Sequence, residues 1–412
     1  MTGPDASKPA AAAAAGGRYR SLPKSIWLLG MVSMFMDISS ELVHCLLPIF
    51  MAGVLGTSML TIGIVEGIAE ATAAIAKVFS GAISDRFRKR KLLVVLGYGL
   101  GAVSKPAFPL ASTIDLVFAA RFVDRIGKGI RGAPRDALVA DLVPARQRGA
   151  AYGLRQALDS AGAFLGPLLA IVFMLSLASD IRRVLWMAVV PAFVAVLLAL
   201  ALREPRSPPA TSAPRDRLRL QLGRSLPRHF WLIVTLGAAF TLARFSEAFL
   251  LLRAHDLGLA AAHVPAILIV MNAVYAALAY PAGDIADRLP ARTLLVPGLG
   301  VLVAADVVLA LAESPATVFV GAALWGLHMA LTQGLLAKLV ADAAPESLRA
   351  TAFGIFNMVT GGALLLASVV AGWLWSTFGA AATFSAGGAF AAVAALGVLL
   401  YRPQGSAAAG SA

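Results

Sequence analysis

Cysteine is almost missing from this sequence: Cys45 stands alone among 412 residues. A disulfide framework needs pairs, and a CxxC-type metal site needs at least two thiols, so both are excluded. Charge is scarce too. Asp, Glu, Lys and Arg make up 14% of the chain, against about a quarter in a soluble globular protein. The histidines (His44, His229, His255, His263, His328) fall in no catalytic spacing. No nucleophile–base constellation accompanies them, so an enzyme is not expected, and neither is a cofactor. What fills the space is apolar: 59% of the residues are hydrophobic and the mean hydropathy is +0.81. That excess points to several membrane spans, with the lipid bilayer as the main partner.

Of the two signs of charge, the acidic one is scarcer, with 22 Asp and Glu against 35 Lys and Arg and a net charge of +13. A basic surplus can serve nucleic acid, but so apolar a chain leaves little soluble surface for a polymer, and no nucleic-acid partner is expected. The simpler cause is the gathering of Lys and Arg in loops on the inner side of a membrane. Nor is a signal peptide expected. The opening "MTGPDASKPAAAAAAGGRYRSLPK" has no short apolar core and no small-residue cleavage site. It reads as a disordered cytoplasmic tail over 1–24, and "PQGSAAAGSA" makes another over 402–412.

Runs of about 20 apolar residues cross a ~30 Å hydrocarbon core as helices. They fall near 25–50, 60–80, 92–110, 114–140, 147–176, 182–203, 229–254, 262–283, 293–312, 314–341, 347–375 and 378–401, which makes twelve. With the N-terminus inside, the inner loops receive Arg18, Arg20, Lys24, the run Arg86–Lys91, Arg146, Arg148, Arg288, Arg292, Arg349 and Arg402. The outer loops hold little besides Arg182, Arg183 and Arg253. Both termini are therefore expected in the cytoplasm, and the Ala/Leu/Arg-rich composition suits a bacterial inner membrane. The Pro/Arg/Ser-rich stretch 204–228 reads as a cytoplasmic linker between a half at 25–203 and a half at 229–401.

The halves repeat one another. "GAISDRFRKRKLL" from Gly81 matches "GDIADRLPARTLL" from Gly283, and "VADLVPARQRGAAYG" from Val139 matches "VADAAPESLRATAFG" from Val340. Two independent matches at nearly the same offset mark a duplicated six-span unit. Parallel repeats of this sort are a transporter architecture, with the solute site at the interface of the halves near the bilayer midplane.

The stretch Gly81–Lys91 resembles the loop signature of the major facilitator superfamily, G-x-x-x-D-R-x-x-R/K-R/K, and it recurs weakened in the second half. The resemblance runs over about 25–401. It implies an all-α membrane protein of that fold, with twelve transmembrane helices in two pseudo-symmetric six-helix halves, working as a monomer. It implies gating roles for Gly81, Asp85, Arg86 and Arg90, and for Gly283, Asp287 and Arg288; anchoring of the loop to lipid headgroups is the plainer alternative.

The fourth span is unusually charged. Arg121, Arg125, Lys128, Arg131 and Arg135 recur at steps of three and four, so they share a broad helical face. Asp124 is spaced to pair with Arg121 or Lys128. Such groups do not face lipid cheaply, so the face looks into protein or a watery cavity. "RIGKGIRGA" resembles the fourth-span signature of proton-exchanging members of the superfamily, R-x-x-Q-G-x-x-x-A, with Lys128 where Gln is usual. Gly153, Gly162, Gly166 and Pro167 on the fifth span resemble the antiporter signature G-x8-G-x3-G-P-x-x-G-G, which implies export.

Other charges sit at membrane depth. Asp37, Glu41 and His44 share a face of the first span, Glu66 and Glu70 are one turn apart on the second, and Arg155 and Asp159 on the fifth. Asp37 and Glu70, then Asp159, are candidates to carry protons; permanent ion pairs are the alternative. In the second half Arg244 and Glu247 are spaced to pair, and Asn272, Tyr275, Trp325, His328, Gln333 and Asn357 are candidates to contact a solute or to pack. The expectation is a secondary active transporter, a proton-coupled exporter of a small organic or amphipathic anion working by alternating access. An importer of an anionic nutrient or siderophore, a divalent-metal transporter, a lipid translocase and a receptor or scaffold remain as alternatives. No metal site is expected.

Overall fold

In the computed structural model the described residues are 22–87, 89–144, 147–202, 226–288, 291–345 and 348–400. The tail at 402–412 and most of the tail at 1–24 and of the linker at 204–228 lie outside them. Among the described residues every regular element is a helix. In chain order they are α1 (Lys24–Ile49), α2 (Met59–Phe87), α3 (Arg90–Ser104), α4 (Ala107–Leu110), α5 (Ile114–Leu142), α6 (Arg148–Ser176), α7 (Ile181–Met187) and α8 (Val189–Leu200). There follow α9 (Arg228–Leu242), α10 (Ala248–Asp256), α11 (Ala266–Arg288), α12 (Ala291–Ala310), α13 (Pro315–Ala343), α14 (Arg349–Phe378) and α15 (Ala380–Leu400). A five-residue π-helical turn, Phe50–Val54, extends α1.

Among the described residues ten spans are long and apolar enough to cross a membrane. Two of the twelve expected ones miss that criterion for separate physical reasons. Helix α5 has the length, 29 residues, but its charged face lowers its hydropathy. The expected span at 229–254 is broken instead of continuous, with α9 ending at Leu242 and α10 starting at Ala248. The break is held by side chains: the Ser246 N–H donates to Ser368 Oγ at 3.2 Å, and the Ala248 N–H donates to Ser246 Oγ at 3.3 Å. Such satisfaction of exposed backbone groups is what lets a helix open at membrane depth. The third span is also divided, at Pro106, which has no N–H for the helical ladder.

The repeat is visible in the helix bounds. Helix α5 covers Ile114–Leu142 and α13 covers Pro315–Ala343, the same 29 residues displaced by 201. Helices α3 and α12 begin at Arg90 and Ala291, and α6 and α14 at Arg148 and Arg349, with that same displacement. Contacts repeat as well. A methyl on Gly127 would lie 2.6 Å from the Gly97 carbonyl oxygen; 201 residues on, His328 Nδ1 stands 2.8 Å from the Gly298 carbonyl oxygen.

By contacts the chain forms two compact units, Met1–Leu46 with Thr72–Arg219, and Leu47–Ala71 with Leu220–Ala412. The division assigns the end of α1 and the first part of α2 to the second unit. Close approaches explain this. Methyls on Gly63 and Gly67 would collide with α14 at Ser368 and Leu365, and the Leu60 N–H donates to Ser376 Oγ at 3.0 Å. The first unit's apolar core runs from Ile26, Leu29 and Met36 of α1 through Tyr98 of α3 to Ala192 and Ala195 of α8.

Candidate functional site

The charged face of α5 is the polar heart of the first unit. Arg121, Asp124, Arg125 and Arg131 are all buried, whereas Lys128 on the same helix is exposed. Nearest the Ile114 end, Arg121 Nη2 lies 3.0 Å from His44 Nδ1 of α1. Arginine can only donate, so Nδ1 accepts and this imidazole carries its hydrogen on Nε2. One turn further, Asp124 Oδ1 accepts from Lys105 Nζ at 2.8 Å, and Lys105 Nζ also donates to Ser40 Oγ at 3.3 Å. Asp124 therefore finds its short ion pair on another helix end, although sequence spacing points to Arg121 or Lys128.

Toward the Leu142 end the pairs become a chain. The Arg131 guanidinium lies 4.8 Å from the centre of the Tyr98 ring. The Tyr98 hydroxyl is 2.9 Å from Ser33 Oγ, and Arg135 Nη1 donates to that same Ser33 Oγ at 2.9 Å. Arg135 is also 3.7 Å from Asp159, which accepts from Arg155 Nη1 at 2.7 Å, while Asp136 lies 3.4 Å from Arg135 and 3.7 Å from Arg155. The Asp37 carboxylate of α1 feels Asp159, Arg131, Arg135 and Lys128 around it.

Helix α6 is pressed onto α1 beside this group. Methyls on Gly162 and Gly166 would lie 2.6 Å from the Met34 carbonyl oxygen and from Glu41 Cβ. Only a residue without Cβ lets the helices come so close, and this seam fixes Asp159 next to Asp37. Pro167 is buried behind it, and Gly153 is exposed, outside the seam. Across the cluster the cations Lys105, Arg121, Arg125, Lys128, Arg131, Arg135 and Arg155 outnumber the acids Asp37, Glu41, Asp124, Asp136 and Asp159. A wall in which cations outnumber interspersed carboxylates can attract an anion and can shuttle a proton in the same space.

Lys105 is the group that sequence reading misses. It is 1% exposed, more buried than any charge on α5. Its signal is a lysine inside an otherwise apolar run, "GYGLGAVSKPAF", which hydropathy registers as span and not as charge. Asp306, fully buried on α12, escapes for the same reason.

The remaining candidates scatter. Glu66 is buried and Glu70 half-buried on α2. Arg244 and Glu247 both sit in the break between α9 and α10. Tyr275 lines a cavity of about 740 Å³ between α11 and α13, together with Asp284, Met329 and Lys338, whose Nζ donates to the Ala286 carbonyl oxygen at 2.9 Å. Asn272, Gln333 and Asn357 are half-buried outside that lining. His328 is buried against Phe240, ring centres 5.1 Å apart, with no exposure to a solute path, and Trp325 is equally enclosed. Among the gating candidates, Arg90 Nη1 donates to the Ala137 carbonyl oxygen at 2.7 Å and pairs with Asp141, which ties α3 to α5. Gly81 abuts Ala133 of α5, and Gly283 faces open space. The side chains of Asp85, Arg86, Asp287 and Arg288 lie outside the described residues.

Comparison with known proteins agrees with this architecture. Residues 28–252 and 232–411 match the sequence model of the Major Facilitator Superfamily. An uncharacterized MFS-type transporter of Methanocaldococcus jannaschii is 33% identical over 363 residues, covering 86% of this chain and 89% of the relative. A multidrug resistance protein MdtH of Enterobacter is 36% identical over only 115 residues, 28% of either chain. Among solved structures, the nucleoside transporter NupG (D323A mutant) superposes with a TM-score of 0.79 at 13% identity, covering 91% of this chain and 99% of that one. At that identity the likeness concerns the fold alone.

Proposed function

The chain belongs to the major facilitator superfamily, an integral-membrane secondary transporter and not an enzyme, and from that premise we propose that it exports a small organic or amphipathic anion in exchange for protons. The observation that carries this reading is the cationic surplus of the α5 face around Asp37. Arg131, Arg135 and Lys128 all act on that carboxylate, so an entering anion and the ionised Asp37 carboxylate compete for the same cations. That competition alone favours anion and proton together, so exchange requires sequential occupancy. Asp37 gives up its proton to the inner side before the anion binds and takes one up from the outer side after the anion has left, an order that alternating access supplies. Outward direction draws on two supports: the glycine seam of α6, which carries the antiporter-like pattern, and the 115-residue stretch similar to MdtH. The excess of Lys and Arg in alternate loops supports cytoplasmic termini on this reading.

The test uses inside-out membrane vesicles containing the protein, an imposed pH gradient and a fluorescent pH dye. Organic anions, organic cations and divalent metals are added in turn. We expect anions to dissipate the gradient, and Arg125→Ala and Asp37→Asn each to lower that rate about tenfold or more, the equivalent of about 1.4 kcal/mol. Dissipation by cations or metals with silence toward anions would reduce the α5 face to internal ion pairs. Flux of the active compound in the two vesicle orientations separates export from import.

A further inference from the structure

Helix α12 carries one carboxylate at its centre of burial, Asp306, and neither of its oxygens has a hydrogen-bond partner among the described residues. Its surroundings are apolar. A methyl placed on Gly387 of α15 would sit 2.9 Å from Asp306 Oδ2 and 2.9 Å from Phe245 Cε1, and one on Gly388 would sit 3.3 Å from Asp306 Cβ. The carboxylate thus looks onto glycine backbone and an aromatic edge. Beyond Phe245, ring centres 5.5 Å apart, lies Trp325, whose Nε1 is also buried with no partner among the described residues.

Among the described residues no charged group on a neighbouring element pairs with it. Helix α15 has none. Helix α13 brings His328, whose Nδ1 faces the Gly298 carbonyl oxygen while its Nε2 has no partner among the described residues, Lys338, which reaches Ala286, and the exposed Asp342. Helix α10 brings Arg253, which donates to the Leu309 and Ala312 carbonyl oxygens at 3.2 and 2.7 Å and pairs with Asp256 at 3.0 Å. Arg244, preceding Phe245, acts on the His328 ring.

The repeat sharpens the anomaly. Displaced by 201 residues, Asp306 corresponds to Lys105 and Trp325 to Asp124. The first unit fills these two places with an ion pair; the second has an acid and an indole donor. An isolated anion so enclosed costs several kcal/mol, so the site calls for a bound cation. A calcium or magnesium ion needs about six oxygens or more and a zinc ion about four ligands, and the described residues hold no cluster of three or more metal-ligating side chains. A proton needs only the carboxylate.

We propose that Asp306 is a proton-binding site of the second unit, with the Trp325 indole N–H as the donor that receives the carboxylate when the proton leaves. The O–H bond breaks, the proton passes to water, and the carboxylate accepts from Nε1. The site stands on the second unit alone and does not rest on the identity of the solute.

The experiment is infrared spectroscopy of the purified full chain in lipid vesicles near neutral pH, without solute. The wild type is expected to show a carboxylic-acid C=O stretch that Asp306→Asn removes. Asp306→Glu is expected to retain it at a shifted frequency, and dye-detected proton release after an upward pH step should fall by about one proton per chain in Asp306→Asn. The near-isosteric amide mimics the neutral acid, so this variant keeps the fold. A carboxylic-acid region that Asp306→Asn leaves unchanged relative to the wild type overturns the proposal, whatever band other carboxyls contribute to both spectra. Because no solute is present, failure of the anion-export reading leaves this result unaffected, and the reverse also holds.

Discussion

Lys105 with Asp124 and Asp306 with Trp325 occupy matching places in the two repeats, yet the first pair is a 2.8 Å salt bridge and the second is two buried groups with no partner among the described residues. The helices around them share bounds at one displacement. Helix bounds are thus largely duplicated, apart from the break at Lys105–Pro106 that α12 lacks, while side-chain chemistry has diverged. In the first unit, charge is held in pairs at Arg121 and Asp124 and in a chain from Arg131 to Arg155. In the second, the same region holds an aromatic cluster of Phe245, Phe249, Trp325, Trp375 and Phe384. The contrast separates what the fold requires from what a transported solute requires. A packed core suffices for the fold, so the excess cations of the first unit need another reason.

The most severe way to break the comparison is to cut the buried ion pair. Asp124→Leu leaves the Lys105 ammonium, 1% exposed, without its counter-ion, and removing one partner of a buried pair costs about 3–5 kcal/mol. Lys105→Met with Asp124→Leu makes the first unit resemble the apolar character of the second, and is expected to recover most of that loss. Denaturant or thermal unfolding of the purified chain in detergent reads both. A loss below about 1 kcal/mol in the single variant would mean that the pair is hydrated and behaves like a surface contact.

A smaller effect comes from the matched glycines. A methyl on Gly97 would lie 2.7 Å from the Gly127 carbonyl oxygen and 2.8 Å from the Arg131 backbone nitrogen, neither of which can turn away. On Gly298 it would meet chiefly the Thr332 methyl. Gly97→Ala is therefore expected to cost about 1–3 kcal/mol, in the range of overpacked cores, and Gly298→Ala less, by the same unfolding measurement. Equal losses would show that the two seams are equally rigid and that the difference in side chains has no mechanical consequence.

Much of this contrast is legible in sequence, and some is not. Apolar runs locate the helices because lipid-spanning segments must be long and apolar, and the matches at Gly81/Gly283 and Val139/Val340 announce the duplication that the helix bounds display. Spacing by three and four gives the α5 face and the Arg155–Asp159 pair, since partners within one helix are fixed by helical geometry. Partners between helices are not. Nothing in the local pattern says that Asp124 belongs with Lys105, that Arg135 reaches Ser33, or that the span at 229–254 opens at Ser246. Single charges in apolar runs, Lys105 and Asp306, escape notice because hydropathy averages them away, although an isolated charge at membrane depth is the informative kind.

The smallest expected change lies in the second unit. Trp325→Phe deletes an indole N–H that is fully buried and has no partner among the described residues. Leaving such a donor unsatisfied costs about 1–3 kcal/mol, so its removal offsets the apolar burial that the smaller phenyl ring gives up. The net change in unfolding free energy should stay within about 1 kcal/mol, whereas the change at the matching Asp124 is several times that. The carboxylic-acid band of Asp306 should persist in this variant, because the indole serves only the form that has given up its proton. A destabilisation beyond about 3 kcal/mol, more than the burial of the ring difference supplies, would instead show that the indole is hydrogen-bonded in the resting protein. The two repeats would then both satisfy their buried polar pairs, and the asymmetry drawn between them would reduce to a choice of donor.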